Sequence, residues 1–273
     1  MWIIIPVAAV LIIIILIDKS INHPVVKGMI GERRVQKQLK KLPLEDYKTL
    51  NNVMIKKKIG TSQIDHIVIS PYGIFVIETK NYGGYVYGNE SSDYWTQKFY
   101  KSKNKFRNPI KQNWGHVYAL KDILPEYKDV SFYPIIIFAG KSKLNINSKT
   151  CVISPEILYE TIMRHRGSKQ LTSNEMEQIY DRIKSNNLED EQIKREHVDR
   201  IKWNVKIREM KEKVLICPEC AGHLIKRKSR YGAFYGCKNF PKCKYKGCSL
   251  EKDGEGHIPY FLKSVNPESA KVR

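Results

Sequence analysis

The sequence is short of acid. Its 273 residues hold 48 Lys and Arg against 28 Asp and Glu, a net charge of +20. A basic surplus of that size argues for a polyanionic partner, nucleic acid or an anionic membrane face, without choosing between them. Cysteine is scarce outside one stretch: of six, only Cys151 lies outside Cys217–Cys248. This speaks against a chain-wide disulfide framework and for a local metal site. Internal repeats and low-complexity tracts are absent. Hydrophobic residues reach 42 %, which excludes a fully disordered chain, and the length allows one or two domains.

Long apolar runs are also few. Trp2–Ile17 is unbroken, but no basic region precedes it and no small-residue cleavage site follows, because Asp18-Lys19-Ser20-Ile21 comes next. A secretory signal peptide normally has both. As a helix, sixteen residues span roughly 24 Å against a hydrocarbon core of ~30 Å. With Met1 and a thinned bilayer, a retained transmembrane anchor over 1–20 is the expectation. Lys19, Lys27, Arg33 and Arg34 follow the run and no basic residue precedes it. That asymmetry predicts a single-pass protein of the cell membrane, N-terminus outside and the remaining domains cytoplasmic, with the lipid bilayer as one partner. A reducing compartment further weakens a disulfide reading.

Val35, Leu39 and Leu42 recur at helical spacing and predict an amphipathic helix over 28–42, with Glu32 on the edge of the apolar stripe. Short β-type runs follow at 51–55, 63–70 and 74–80, then a helix over 113–124, strands at 133–139 and 150–153, and a helix opened by Ser154-Pro155. This order predicts an α/β fold around one mixed sheet. Lys98–Lys111 reads as a basic, polar segment. Leu171–Lys213 is helical and polar, with a thin apolar stripe of Val198, Ile201 and Val205, and reads as a connecting helix. The expected domains are the anchor over 1–20, an α/β domain over 26–166, a helical linker over 167–213, a small cysteine module over 214–250 and a polar tail over 251–273.

The turn at Ser70–Gly73 sets a hairpin register. Pairing Ile69 with Ile74 puts Asp65 opposite Glu78, with Cβ atoms about 5 Å apart. Two carboxylates that close repel by roughly 3 kcal/mol at an effective dielectric near 20. A bound cation, a shared proton or the Lys80 ammonium must offset this. Lys80 shares the face of Glu78, since strand side chains alternate. A hard divalent ion such as Mg²⁺ suits oxygen ligands and work on phosphates.

The stretch Gln63-Ile64-Asp65, the turn, and Ile77-Glu78-Thr79-Lys80 resembles the PD-(D/E)XK nuclease core. With Gly31-Glu32 before it and Asn108-Pro109 and Gln112 after it, the region 26–166 looks more specifically like the nuclease-related domain, NERD. The resemblance implies a restriction-endonuclease-like mixed sheet flanked by helices and metal-dependent cleavage of DNA or RNA. By the same resemblance, Asp65 and Glu78 would bind Mg²⁺ (or Mn²⁺) and Lys80 would be the catalytic lysine. Glu32 would be an accessory acid, and Gln63 a polar neighbour of the site. Ile64 stands where the family name has proline.

Cys217-Pro218-Glu219-Cys220, then Cys237 and Cys243, form two short-spaced pairs around a hairpin-length insert, which suits tetrahedral Zn²⁺. Cys248 is spare. So small a segment would draw its folding free energy from the metal. The run through Tyr231-Gly232-Ala233-Phe234-Tyr235-Gly236-Cys237 and Phe240-Pro241-Lys242-Cys243 resembles the four-cysteine zinc ribbon of bacterial type I topoisomerases, which implies binding of single-stranded DNA. Independently, 214–248 carries eight basic residues and one acid, interleaved with aromatics. Such a surface suits sequence-tolerant strand binding. Lys226, Arg227, Lys228, Arg230, Tyr231, Phe234, Tyr235 and Phe240 are the candidate contacts. The sequence thus points to a membrane-anchored, metal-dependent nuclease acting on DNA or RNA. The alternative is a non-catalytic DNA-binding membrane tether.

Overall fold

The computed structural model describes residues 24–100, 102–189, 191–229 and 232–250. The chain divides into two compact units, Met1–Asp190 and Glu191–Arg273.

The first unit opens with helix α1 (Pro24–Leu39), followed by strands β1 (Lys48–Lys56), β2 (Thr61–Ser70) and β3 (Gly73–Lys80). Next come β4 (Gly84–Asn89), β5 (Tyr94–Lys98) and β6 (Lys103–Arg107), helix α2 (Pro109–Ile123), β7 (Phe132–Phe138), β8 (Ser142–Asn147) and β9 (Cys151–Ile153). Helices α3 (Leu158–Arg164) and α4 (Ser173–Ser185) close the unit. The strands form two sheets rather than the one expected: a mixed sheet in the order β1-β2-β3-β7-β9 and a second in the order β6-β5-β4-β8.

The first sheet is covered on both faces, which is why β3 reads as a continuous apolar run. One face packs Ile67, Ile69 and Val76 against Val117 and Leu120 of α2 and Met176, Ile179 and Ile183 of α4. The other packs Val68, Phe75 and Ile77 against Val35 and Leu39 of α1 and Leu158 and Ile162 of α3. Residues 171–185, expected as the start of a linker, therefore build the core. Their apolar positions are few but all lie on one helix face.

The second sheet grows out of the first. The parallel pair β3–β7 ends at Lys80 and Phe138, and the same two chain segments pair again in parallel as β4–β8. The corner between them needs glycine. Gly84 has φ +77°, and a Cβ there would meet the Lys98 carbonyl oxygen at 2.7 Å; one at Gly140 would meet the Tyr82 carbonyl oxygen at 2.0 Å. Val86, Trp95 and Phe106 of the second sheet pack on Ile136 and Phe138 of the first.

The second unit holds helix α5 (Glu191–Lys213) and strands β10 (Leu224–Ser229), β11 (Gly232–Cys237) and β12 (Lys246–Leu250), ordered β10-β11-β12.

The membrane reading is corrected. Among the described residues no helix is long and apolar enough to cross a membrane. The run expected to span, 1–20, lies outside the described residues. The transmembrane element of the expected fold, the single-pass placement and the lipid partner are withdrawn. The tail over 251–273 likewise lies outside the described residues.

Candidate nuclease-like site and zinc ribbon

The hairpin carries the expected register. Ile69 pairs with Ile74 and His66 with Ile77, although Ser70–Gly73 also pairs and tightens the turn. Asp65 and Glu78 are the next step of that register. Asp65 does not simply face Glu78, because its Oδ2 accepts the Thr79 backbone N–H at 2.7 Å, sideways across the sheet.

A kink explains this. On β1 and β2 the paired residues run Asn51–His66 and Val53–Ile64. Between them Asn52 has φ +54°, a left-handed backbone. Ile64 and Ile67, an even and an odd position, pack into the same core layer, as do Leu50 and Val53. The alternation therefore slips by one at Asn52 and Asp65. The slip also separates Gln63 from the site: Ser62 and Ile64 turn toward α2, and Gln63 is exposed.

Glu78 is buried, with 2 % exposure. Its Oε1 accepts from the Lys80 ammonium, and its Oε2 lies 3.0 Å from His116 Nε2. His116 Nδ1 in turn lies 2.6 Å from Ser62 Oγ, and Lys80 Nζ donates to Gln112 Oε1 at 3.1 Å. Gln112 and His116 stand four apart on α2 and so share a face. Helix α2 is locked over the sheet by two asparagines. Buried Asn113 donates to the carbonyls of Val76 and Ile135. Asn108 caps the helix by accepting from the Ile110 N–H, while its amide donates to the Glu90 and Ser92 carbonyls. His116 and Ser62 escape sequence reasoning; the only signal is the spacing of four from Gln112.

The electrostatics follow from burial. Burial pushes the Glu78 carboxyl up, but the Lys80 ammonium and the His116 bond outweigh it and hold the pKa below its usual value. Lys80 mirrors this: burial lowers it, and the Glu78 charge raises it further, so the ammonium is kept. Asp65 is held well above the carboxylate range, first by burial and then by the Glu78 charge, against the opposing Thr79 bond. Glu32 on α1 is also raised, by burial first, with the Asn52 bond opposing and Glu78 adding. Glu32, Asp65, Glu78 and Lys80 thus share one charge field. The three acids do not close into a tight cage: among the described residues, only cysteines bring three or more ligand atoms within 4.8 Å of one another. The pair Asp65–Glu78 still fits a hard cation chemically. Both offer carboxylate oxygens with lone pairs beyond those in use, and after burial the Glu78 charge is the next cause of the raised Asp65 pKa, a repulsion that a cation between them would relieve.

The cysteine cluster comprises Cys217, Cys220, Cys237 and Cys243. Sγ separations are 3.6 Å for Cys217–Cys243 and 3.4 Å for Cys220–Cys237. A tetrahedral ion with Zn–S near 2.3 Å requires about 3.8 Å, so the set fits Zn²⁺. Backbone N–H of Asn239 donates to Cys237 Sγ. The thiols share their protons unevenly: the Gly222 N–H, and then Cys237, bring the Cys220 thiol down to about 6, while burial raises Cys237 and Cys243 is also raised.

Of the expected strand contacts, Arg227, Phe234 and Phe240 share one side of the ribbon. Arg227 is opposite Phe234 in the register and lies over the Phe240 ring at 5.5 Å. Lys226 and Lys228 are exposed and alternate to the other side. Tyr235 packs against buried Cys217, Leu224 and Cys237 instead of standing free. Arg230 and Tyr231 lie outside the described residues.

Comparison with known proteins agrees with this division. Residues 27–139 match the nuclease-related domain family, and residues 214–251 match the topoisomerase DNA-binding C4 zinc finger. An uncharacterised protein of Bacillus anthracis is 36 % identical over 181 residues, 63 % of this chain and 82 % of its own length. DNA topoisomerase 1 of Methanothermobacter thermautotrophicus is 54 % identical over 48 residues, 18 % of this chain but 6 % of the enzyme. That of Methanocaldococcus jannaschii is 62 % identical over 37 residues, 14 % of this chain and 5 % of the enzyme. The topoisomerase likeness is thus confined to the ribbon. No solved structure matches. The chain belongs to the nuclease-related domain family and carries a topoisomerase-type four-cysteine zinc ribbon.

Proposed function

We propose that the protein is a divalent-metal-dependent nuclease that hydrolyses phosphodiester bonds of DNA or RNA, with the zinc ribbon gripping a single strand. The observation that supports this best is the convergence of Asp65, Glu78 and Lys80 at one end of β3, with Glu32 close enough to act on their charges. A half-buried acid held well above its ordinary value beside a buried, ion-paired acid is costly for stability alone, and such perturbed groups favour functional sites.

Asp65 and Glu78 would hold Mg²⁺ or Mn²⁺, whose charge would compensate the negative charge that develops on phosphorus-bound oxygens. The remaining work falls to the chain. Lys80 stays an ammonium, so it donates a hydrogen bond to a phosphoryl oxygen and does not act as a base. Glu78 fixes the Lys80 side chain, and Gln112 steadies its far side. His116, oriented by Ser62, holds the second oxygen of Glu78 and so positions the carboxylate. Glu32, with its raised pKa, can carry a proton at the rim of the site. On the ribbon, Phe234 and Phe240 would stack bases, and Arg227 would meet phosphate.

A cleavage panel tests this, with single-stranded DNA, duplex DNA and RNA, each with Mg²⁺, Mn²⁺ or neither. The wild type should cut only with metal. Asp65→Asn and Glu78→Gln should abolish cutting and leave strand binding intact. Tight binding without cleavage under every condition would replace the nuclease with a non-catalytic nucleic-acid-binding protein.

A further inference from the structure

We propose that the outer face of the second sheet, β6-β5-β4-β8, is a binding surface for single-stranded nucleic acid, distinct from the zinc ribbon. The proposal stands apart from the nuclease reading, since it concerns grip and not chemistry.

The four strands contain no Asp or Glu and five basic residues: Lys98, Lys103, Lys105, Arg107 and Lys143. The register decides where these point. Lys103 pairs with Lys98, Lys98 with Tyr85, and Tyr85 with Lys143, so the four form one row across the sheet. The next row on that face holds Lys105, Thr96, Tyr87 and Asn145. Val86 and Trp95 alternate to the opposite face and are fully buried against the first sheet. All five cations and the three strand tyrosines therefore fall on the outer face, and the core residues fall on the inner one.

Tyr85 and Tyr87 are 48 % and 40 % exposed, and Lys143 lies over the Tyr85 ring at 5.5 Å. The core does not need these rings. Neighbouring strands lie about 4.8 Å apart, so a row of three cations around one ring gives a phosphate track flanking a stacking platform. A face of uniform positive charge complements a phosphodiester chain. The rings favour a single strand, because a duplex keeps its base faces inside the stack. The surface is also close to the site. Tyr85 is five residues beyond Lys80, a reach of at most about 18 Å along extended chain.

The test uses the full chain, without magnesium, so that cleavage does not enter. Arg227→Ala with Phe240→Ala first silences the ribbon. In that background, fluorescence anisotropy follows a labelled oligothymidylate between about 50 and 200 mM salt. Adding Tyr85→Ala and Tyr87→Ala should weaken binding about tenfold or more. Adding Lys98→Ala and Lys103→Ala instead should flatten the plot of log affinity against log salt by about 1.4, roughly 0.7 for each phosphate that is no longer neutralised. Thermal midpoints should match the parent, since these side chains lie outside the core. Affinity and salt slope unchanged in both pairs would overturn the proposal, as would loss of duplex binding alone.

Discussion

His116 Nε2 sits 3.0 Å from Glu78 Oε2, and this contact joins helix α2 to the end of strand β3 inside the core. It fills one side of a carboxylate whose other side is taken by Lys80. In the proposed mechanism the histidine touches no substrate; it aims Glu78, the carboxylate that would hold the metal. Groups that orient a metal-binding side chain typically matter by 10–100-fold. His116→Ala is expected to reduce metal-dependent cleavage by about that factor and to raise the metal concentration needed for half-maximal rate. Ser62→Ala should follow the same direction by less. If metal dependence is unmoved in both variants, the positioning role is lost.

The Lys80–Glu78 pair is buried enough to be felt in stability. Removing one partner leaves an uncompensated charge, which typically costs about 3–5 kcal/mol. Lys80→Met should therefore destabilise the first unit strongly in urea. The double variant Glu78→Gln with Lys80→Met should recover much of the loss, because neither charge remains. A double variant no more stable than Lys80→Met would show that the pair is not the cause.

Burial holds His66 neutral, with its pKa lowered to about 4, although the Glu78 charge opposes the shift. The unfolded chain takes up that proton near pH 6.5. Stability from this group is complete above about 6.5 and is lost as pH falls toward about 4, to a total of about 3 kcal/mol. His66→Asn should flatten the stability profile across that window. Thermal midpoints taken from pH 7 to pH 4.5 give the comparison, and parallel curves would remove His66 as the source.

The ribbon's own buried cluster is small, with Cys217, Leu224 and Cys237 at its centre. Its order must come largely from the ion. Cys237→Ser is expected to abolish stoichiometric zinc, measured by metal analysis, and to collapse strand binding that depends on the ribbon. The melting of the first unit, whose core layers contain no ribbon residue, should not change.

What the sequence made legible follows from periodicity and local chemistry. The pairing of Ile69 with Ile74 is readable because a turn at Ser70–Gly73 leaves the flanking apolar strands one way to align. The cysteine set is readable because ligand spacing is nearly a geometry in itself. The second sheet is not. Lys103–Arg107 has one apolar residue, Phe106, and in its partner strand β5 only Trp95 is buried, so no run of apolar residues marks them. The core role of Met176, Ile179 and Ile183 hides in an otherwise polar helix. Gln63, expected beside the site from the family resemblance alone, is exposed, and the left-handed backbone at Asn52 that shifts the alternation there cannot be read from two adjacent asparagines. The anchor expected over 1–20 has no counterpart among the described residues.

The glycine corner has a mechanical meaning. Two continuous segments leave the first sheet at Lys80 and Phe138 and re-form side by side as β4 and β8. With no space for a side chain at Gly84 or Gly140, the elbow is tightly closed. Tension applied to one sheet passes straight along covalent backbone to the other, so a strand pulled across the tyrosines would tug on Lys80 as a rope tugs on its cleat.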